Sequence, residues 1–184
     1  MAKAKKIEKK MITEEMQIPE ELEVQASAKT LIISKGSERI EKAMSYPFKL
    51  ENKKLIFSAV LNKKNKKLIK TSLAHIRNII SGLGKKYIYK MQVCSVHFPM
   101  TVTIKGQELT IKNFLGEVKE RKAKILPGVE VKIDKEFITI ESSDKEKAGQ
   151  TAANFETATR VCNRDRRVFQ DGIYITDKEK GKRR

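Results

Sequence analysis

Two segments of the chain carry apolar side chains at helical spacing. The first covers residues 66–83, where the apolar positions recur at steps of three and four: Ile69, Leu73, Ile76, Ile80 and Leu83. Such a stripe predicts a helix that packs one face on a sheet, with glycine stop signals at Gly82 and Gly84. A second helix is predicted after Ser143, which forms a capping-box pattern with Glu146. Its apolar stripe is predicted to comprise Ala148, Ala152, Phe155 and Cys162, which makes Cys162 a core thiol near the end of the helix.

Strand-like segments occur in two matching sets, about 80 residues apart. The first set covers residues 24–28, 30–34, 37–44 and 54–58, and the second covers residues 101–105, 108–112, 117–125 and 136–141. Each set is followed by one of the two helices. This duplication predicts an α+β fold of two tandem similar domains, each a small antiparallel sheet with one helix packed on one face.

The predicted organisation has four parts. A basic flexible arm over residues 1–15 precedes an N-terminal α+β domain over residues 16–90, and a C-terminal α+β domain over residues 91–175 precedes a basic tail over residues 176–184. Residues 87–92 are interpreted as the linker between the domains. The first ten residues lack the apolar core of a secretory signal, and no run approaches the ~18 to 20 apolar residues that span a bilayer.

Charge is the strongest compositional signal. The chain has 40 Lys and Arg against 23 Asp and Glu, a formal net charge of +17. So large an excess repels itself in the folded state, which predicts a polyanionic partner, most commonly nucleic acid. No acidic residue lies between Glu51 and Glu108, although lysines recur throughout that stretch. A second basic cluster consists of arginines, whose planar guanidinium groups can hold phosphate or stack on bases: Arg160, Arg164, Arg166 and Arg167.

Side-chain sets for catalysis or metal binding are not found. Cys94 with His97 is at most half of a metal site, because no second pair follows at zinc spacing. The two cysteines are far apart in the chain and fit a reducing cytoplasm. Asp165 and Asp171 could hold magnesium for an RNA-processing nuclease, although pairing with the neighbouring arginines is the favoured interpretation. A basic protein of anionic membrane surfaces is a third hypothesis.

Several stretches, in this order and spacing, resemble the family of the sixth large-subunit ribosomal protein, of archaeal and eukaryotic type. They are HIRNIISG (75–82), YKM (89–91), HFP (97–99), NFLGE (113–117), PGV (127–129), GQTAAN (149–154) and FQDGIY (169–174). The resemblance extends over nearly the whole chain from Met16 onward. It implies a non-enzymatic, cytoplasmic component of the large ribosomal subunit, with neither cofactor nor metal. It also implies two similar α+β domains, of which the C-terminal one is the main binding domain for ribosomal RNA.

The resemblance further implies a position at the base of the factor-binding stalk, beside neighbouring large-subunit proteins and near the RNA loop that translation GTPases touch. It implies RNA contacts at the end of the second helix and in the loop after it, which here means Arg160, Asn163, Arg164, Arg166 and Arg167. We add to the predicted RNA-binding set seven residues from the lysine-rich segment 85–90 and from the basic tail: Lys85, Lys86, Tyr87, Lys90, Lys180, Lys182 and Arg183.

Overall fold

A computed structural model describes residues 11–27, 30–36, 38–44, 46–51 and 53–178 of the chain. These residues form two compact units that divide between Leu83 and Gly84, and we call them the N-terminal and C-terminal domains. Residues 11–15, which were predicted to belong to a flexible arm, are part of a strand, so that part of the prediction is wrong. The predicted tail residues Lys180, Lys182 and Arg183 lie outside the described residues.

The N-terminal domain consists of six strands followed by a long helix. In chain order these are β1 (Met11–Gln17), β2 (Glu23–Ala26), β3 (Thr30–Lys35), β4 (Glu38–Ala43), β5 (Lys49–Glu51), β6 (Lys54–Val60) and α1 (Lys63–Gly84). The strands form two antiparallel sheets, of order β1-β6-β5 and β2-β3-β4. The side chain of Asn62 caps α1, because its Oδ1 accepts a hydrogen bond from the N–H of Lys64 at 3.3 Å. The helix therefore begins three residues before the predicted start.

The core of this domain lies between α1 and the sheets. The predicted stripe on α1 is buried at Ile69, Leu73, Ile76 and Leu83, and these side chains cluster with apolar residues of β3, β4 and β6. Ile79 is more deeply buried than the predicted Ile80, which is packed at the edge of the core. The helix presents its opposite face to solvent.

The C-terminal domain repeats this plan with one additional strand. Its elements are β7 (Tyr87–Cys94), β8 (Thr101–Lys105), β9 (Glu108–Lys112), β10 (Arg121–Lys124), β11 (Glu130–Asp134), β12 (Phe137–Ser142), α2 (Lys145–Ala158) and β13 (Gly172–Lys178). A 3-10 turn at Phe114–Gly116 connects β9 to the segment before β10. The sheets have the orders β11-β12-β7-β13 and β8-β9-β10, again antiparallel throughout.

Strand order confirms the duplicated α+β fold. The sheet β1-β6-β5 of the first domain corresponds to β7-β12-β11 of the second, and β2-β3-β4 corresponds to β8-β9-β10. In each domain the helix directly follows the last strand of this sheet hairpin: α1 follows β6, and α2 follows β12. Each domain thus contains two small sheets, where a single sheet was predicted, and among the residues that the structure describes β13 has no counterpart in the first domain.

The linker prediction for residues 87–92 is wrong, because these residues form β7, the strand that pairs with both β12 and β13. Alternate side chains of β7 are buried, namely Tyr87, Tyr89, Met91 and Val93. This period of two is that of a strand with one face on the core. The predicted domain boundary at residue 90 would cut β7, whereas the two units divide between Leu83 and Gly84.

Two predictions about the second helix are also wrong. The N-cap is Asp144, whose Oδ1 accepts a hydrogen bond from the N–H of Glu146 at 2.9 Å, and not Ser143. The helix ends at Ala158, so Cys162 lies beyond it and is exposed. Val161 fills the core at this point in place of Cys162.

Candidate nucleic-acid interface

The predicted arginine cluster lies on one loop, residues 160–170, which connects α2 to β13 and which we call the arginine loop. Its four arginines and Asn163 are all exposed. Asn163 adopts the left-handed conformation with φ of 57°, which asparagine tolerates better than most side chains. The backbone therefore turns sharply between Arg160 and Arg164. The structure thus brings together all five C-terminal residues that the sequence predicted.

Both ends of the arginine loop are attached to the domain by hydrogen bonds, one of them buried. At the start, the Oγ1 of buried Thr159 accepts the N–H of Ile173 at 2.9 Å, which joins the end of α2 to β13. At the other end, the hydroxyl of Tyr174 donates to the carbonyl oxygen of Gln170 at 3.1 Å. The loop is therefore closed at its base, and its backbone is not free to drift away from the sheet.

Arg121 attaches the start of the loop to a second segment of the domain. Its Nη1 donates to the carbonyl oxygens of Ala158 at 2.9 Å and Arg160 at 3.1 Å. Its Nε donates to the carboxylate of Glu117 at 2.7 Å, and its guanidinium carbon lies 4.3 Å from the centre of the Phe114 ring. The bond from Arg121 lowers the pKa of Glu117 below its usual range, so this carboxylate is charged at neutral pH. Arg121 therefore acts as a structural bridge between the Glu117 segment and the start of the arginine loop.

Inside the loop, Asp165 organises the backbone and one arginine. Its Oδ1 accepts the N–H of Arg167 at 2.9 Å, and its carbonyl oxygen accepts the N–H of Phe169 at 2.9 Å. Its carboxylate also binds the Arg167 guanidinium, with 2.9 Å between Nη2 and Oδ2. The hydrogen bond from the Arg167 side chain lowers the pKa of Asp165. The prediction that Asp165 pairs with a neighbouring arginine is confirmed.

Arg164 is held against an aromatic ring. Its guanidinium carbon lies 4.8 Å from the centre of the Phe169 ring, and that ring lies 5.0 Å from the ring of His97. Planar cation–ring contact restricts the rotation of the guanidinium without consuming its hydrogen-bond donors. Arg164 is therefore oriented by the Phe169 ring, and the residue remains exposed.

Asp171 has a different partner from the one predicted. Its buried carboxylate accepts hydrogen bonds from the N–H groups of Val96 and His97, the latter at 3.1 Å, and it lies 2.9 Å from Nδ1 of His97. The expected pairing with an arginine is wrong. Burial raises the pKa of Asp171, but these hydrogen bonds lower it by more, and the net pKa lies below the usual range. Asp171 thus connects the arginine loop to the segment that follows β7.

Replacing Asp171 by alanine is expected to destabilise the C-terminal domain by about 1.5 to 3 kcal/mol at neutral pH, because the hydrogen bonds to a charged acceptor are lost. Since the pKa is lower in the folded than in the unfolded state, the carboxylate stabilises the fold fully above about pH 4 and loses this contribution as pH falls through the folded pKa. Urea unfolding of both proteins from neutral pH to about pH 2 measures this. The difference between them should be constant near neutrality and shrink in acid; a difference of zero at neutral pH would contradict the assignment.

Arg160 and Arg166 line a small cavity at the end of α2. The cavity measures about 200 Å³ and is also bordered by Glu156, Thr157 and Tyr174. The two guanidinium groups and the hydroxyl of Thr157 can donate hydrogen bonds to an anion or to a polar group of a nucleotide, whereas the O–H of Tyr174 is already donated to Gln170. The cavity lies at the base of the arginine loop and extends the same surface.

The remaining predicted residues lie elsewhere in the domain. In the pairing of β13 with β7, Gly172 is opposite Cys94 and Lys178 is opposite Tyr89, so the arginine loop enters at the far end of β7 from Lys85 and Lys86. Strand β7 has eight residues, so its two ends lie roughly 23 Å apart. Lys86 is paired with Glu130 at 3.1 Å, and Lys90 is exposed. The prediction for Tyr87 is wrong, because its side chain is 5% exposed and packed in the core.

Exposed apolar side chains next to the arginine loop were not predicted as part of the site. Val96, Phe98, Val118 and Val168 are all more than one third exposed, and Phe98 packs beside Gly116. The sequence offered one signal, since Val118 lies between Glu117 and Lys119 and Val168 follows Arg166 and Arg167. The sequence did not show which of these segments lie close together in the fold, because they are separated by 20 to 70 residues in the chain.

Other chemistry is limited in the residues that the structure describes. Among them, no group of three or more His, Cys, Asp or Glu side chains is arranged to hold a metal ion. In the same residues, no helix is long and apolar enough to cross a membrane.

Comparison with known proteins gives a consistent result. The family model for ribosomal protein L6 matches residues 98–172, which include the whole arginine loop. The chain is 40% identical over 172 residues to the large ribosomal subunit protein uL6 of Methanococcus vannielii, with 91% of this chain and 94% of the relative covered. It is also 40% identical over 171 residues to the large ribosomal subunit protein uL6 of Ignicoccus hospitalis, with 88% and 92% covered.

Proposed function

Because this chain belongs to the ribosomal protein L6 family, we propose that it is a structural component of the large ribosomal subunit. It is not an enzyme, and it functions in the cytoplasm as part of that subunit. Within this role, it binds large-subunit ribosomal RNA through the arginine loop of the C-terminal domain. The observation that carries the proposal is a loop of exposed arginines that is anchored at both ends by Arg121, Thr159 and Tyr174.

The mechanism is electrostatic attachment to folded RNA by a rigid loop. Arginines neutralise backbone phosphates and release counterions, which makes binding favourable and strongly salt-dependent. RNA helices expose phosphates, 2′-hydroxyls and a shallow minor groove, so an anchored loop recognises shape more than sequence. Because Arg121 and Asp165 hold the loop before RNA arrives, less conformational entropy is lost on binding.

The position that we propose in the subunit is the base of the factor-binding stalk. There the protein contacts neighbouring large-subunit proteins and supports the RNA on which translation GTPases dock. In this arrangement the protein has no turnover of its own. The nuclease alternative loses its basis in the geometry, because Asp165 is engaged by Arg167 and Asp171 by the segment at His97.

Sedimentation of a cell extract on sucrose gradients tests the proposal. We expect the chain at stoichiometric level in the large subunit at physiological salt, and in the free-protein fractions only after a high-salt wash. Chemical footprinting of the washed and rebuilt subunits then locates the RNA that the protein covers. Recovery of the chain at the top of both gradients would reject the ribosomal role, and a footprint away from the stalk base would reject the position.

A further inference from the structure

The exposed face of α1 carries a row of basic side chains on the N-terminal domain. The row consists of Lys63, Lys66, Lys67, Lys70 and Arg77, all of them exposed, and we call it the α1 basic face. At 3.6 residues per turn these five positions fall within about 100° of the helix circumference, opposite the buried stripe. From Lys63 to Arg77 the row is roughly 21 Å long at 1.5 Å per residue.

These side chains lack the counter-charges that other lysines of this protein have. Within the described part of the chain, none of the five is in an ion pair, whereas Lys35, Lys112, Lys122 and Lys132 each contact a glutamate. The reason lies in the sequence, because no Asp or Glu occurs between Glu51 and Glu108. The α1 basic face is therefore an uncompensated positive surface in the free protein.

The position of the charges on the helix is unfavourable in the free protein. The first turn of α1 contains lysines and no acidic residue, although the amino end of a helix already carries a partial positive charge. Lys63, Lys67 and Lys70 also repel one another, because residues three and four apart are neighbours on the helix surface. A bound polyanion would relieve both repulsions.

We infer that the α1 basic face is a second RNA-docking surface, which contacts the phosphate backbone of ribosomal RNA independently of the arginine loop. Lysine is suited to this role, since its ammonium is a hydrated point charge that neutralises phosphates without base recognition. A membrane surface fits less well: an interfacial helix needs a broad exposed apolar face, and the apolar face of α1 is buried in the core. The inference goes beyond the proposed function, because it concerns a different domain and different residues.

A charge-neutral variant of the full chain tests the inference. Lys63, Lys66, Lys67 and Lys70 are replaced together by glutamine, which preserves helix propensity. Binding to a 30-base-pair RNA duplex of mixed sequence is measured across a range of salt concentrations. We expect the slope of log affinity against log salt to fall by about three, since each phosphate contact contributes roughly 0.7 to 0.9.

The matched control removes the same number of charges from lysines that already have partners. It replaces Lys35, Lys112, Lys122 and Lys132 by glutamine, and its salt slope should fall by less than one. Equal changes in the two variants would mean that only net charge matters, and would overturn the inference.

The melting temperature of the free four-lysine variant should be equal to or above that of the wild type, because repulsion between the lysines is removed. If that variant does not fold, Lys66→Gln with Lys70→Gln should lower the slope by about half as much.

Lysine reactivity in purified large subunits identifies the class of partner. Acylation by a small amine-reactive reagent should be slower at the four α1 lysines in intact subunits than in the free chain, and should recover after nuclease digestion. Full reactivity in intact subunits would overturn the inference, and so would protection that survives complete removal of RNA, which indicates a protein partner. This arm rests on the proposed function: absence of the chain from large subunits would reject that function, while the duplex measurement would still decide the present inference.

Discussion

Replacing Arg164 and Arg167 together by alanine is expected to weaken binding to large-subunit ribosomal RNA by on the order of 100-fold. Charge-assisted hydrogen bonds are each worth roughly tenfold to 100-fold in affinity, and this change removes two potential donors of such bonds. The expected loss of affinity is smaller than the sum of the two separate losses, because Arg167 already donates hydrogen bonds to Asp165. Binding of the full chain to large-subunit RNA at physiological salt measures the effect.

The control for this experiment removes two positive charges at exposed strand positions of the N-terminal domain. Arg39 and Lys49 serve this purpose, and their replacement by alanine should reduce affinity by much less than tenfold.

A further variant, Arg164→Lys, separates the effect of the charge from the effect of the planar guanidinium group. It keeps the charge but lacks the planar group that lies on Phe169, so its affinity should fall between those of the wild type and Arg164→Ala. Unchanged binding by the double alanine variant would move the RNA site away from the arginine loop.

Replacing Phe155 by alanine is expected to destabilise the C-terminal domain by about 3 to 5 kcal/mol. Phe155 is fully buried and lies in the core cluster that joins α2 to the sheets. The change removes apolar contacts and leaves a cavity that the rigid surroundings fill only in part. Because total domain stability is typically about 5 to 15 kcal/mol, the loss is a large share of it.

Urea unfolding followed by circular dichroism tests this prediction, with the midpoint of the C-terminal domain as the measured quantity. Phe155→Leu is the matched control, since it retains most of the buried volume and should cost about 1.5 kcal/mol or less. RNA binding by Phe155→Ala should be lost at the lower urea concentration at which its C-terminal domain unfolds, because α2 carries the arginine loop at its end. A cost below about 1 kcal/mol would show that this position is not packed as described.

Much of the fold could be predicted from local patterns. The period of three and four on α1 was sufficient to predict that helix and its buried face, because a helix displays its periodicity within a few turns. The duplication was likewise visible, since strand-like segments recur in the same order in both halves. The four arginines of the arginine loop could be grouped for a similar reason: they lie within eight residues of one another and share one charge, so no long-range contact was needed. Asn163 was added to them from the family resemblance.

The failures have three different physical causes. Strand β7 was assigned to a linker because its role depends on two partners, β12 and β13, about 50 and 85 residues away. The cap of α2 was assigned one residue early, since both Ser143 and Asp144 can cap and only backbone conformation selects between them. Cys162 was predicted to lie in the core because the apolar stripe was extended beyond Ala158, where α2 ends.

Composition and local spacing were sufficient to predict the fold class, the duplication, the basic character and the clustering of the four arginines. Each of these follows from composition or from spacing within one element, where neighbours in the chain are also neighbours in space. Tertiary structure alone decided that Asp171 binds His97, that Arg121 anchors the arginine loop, and that Lys85 and Lys86 lie far from it. These relations depend on which distant segments pack together, and packing is a property of the whole core that no local pattern contains.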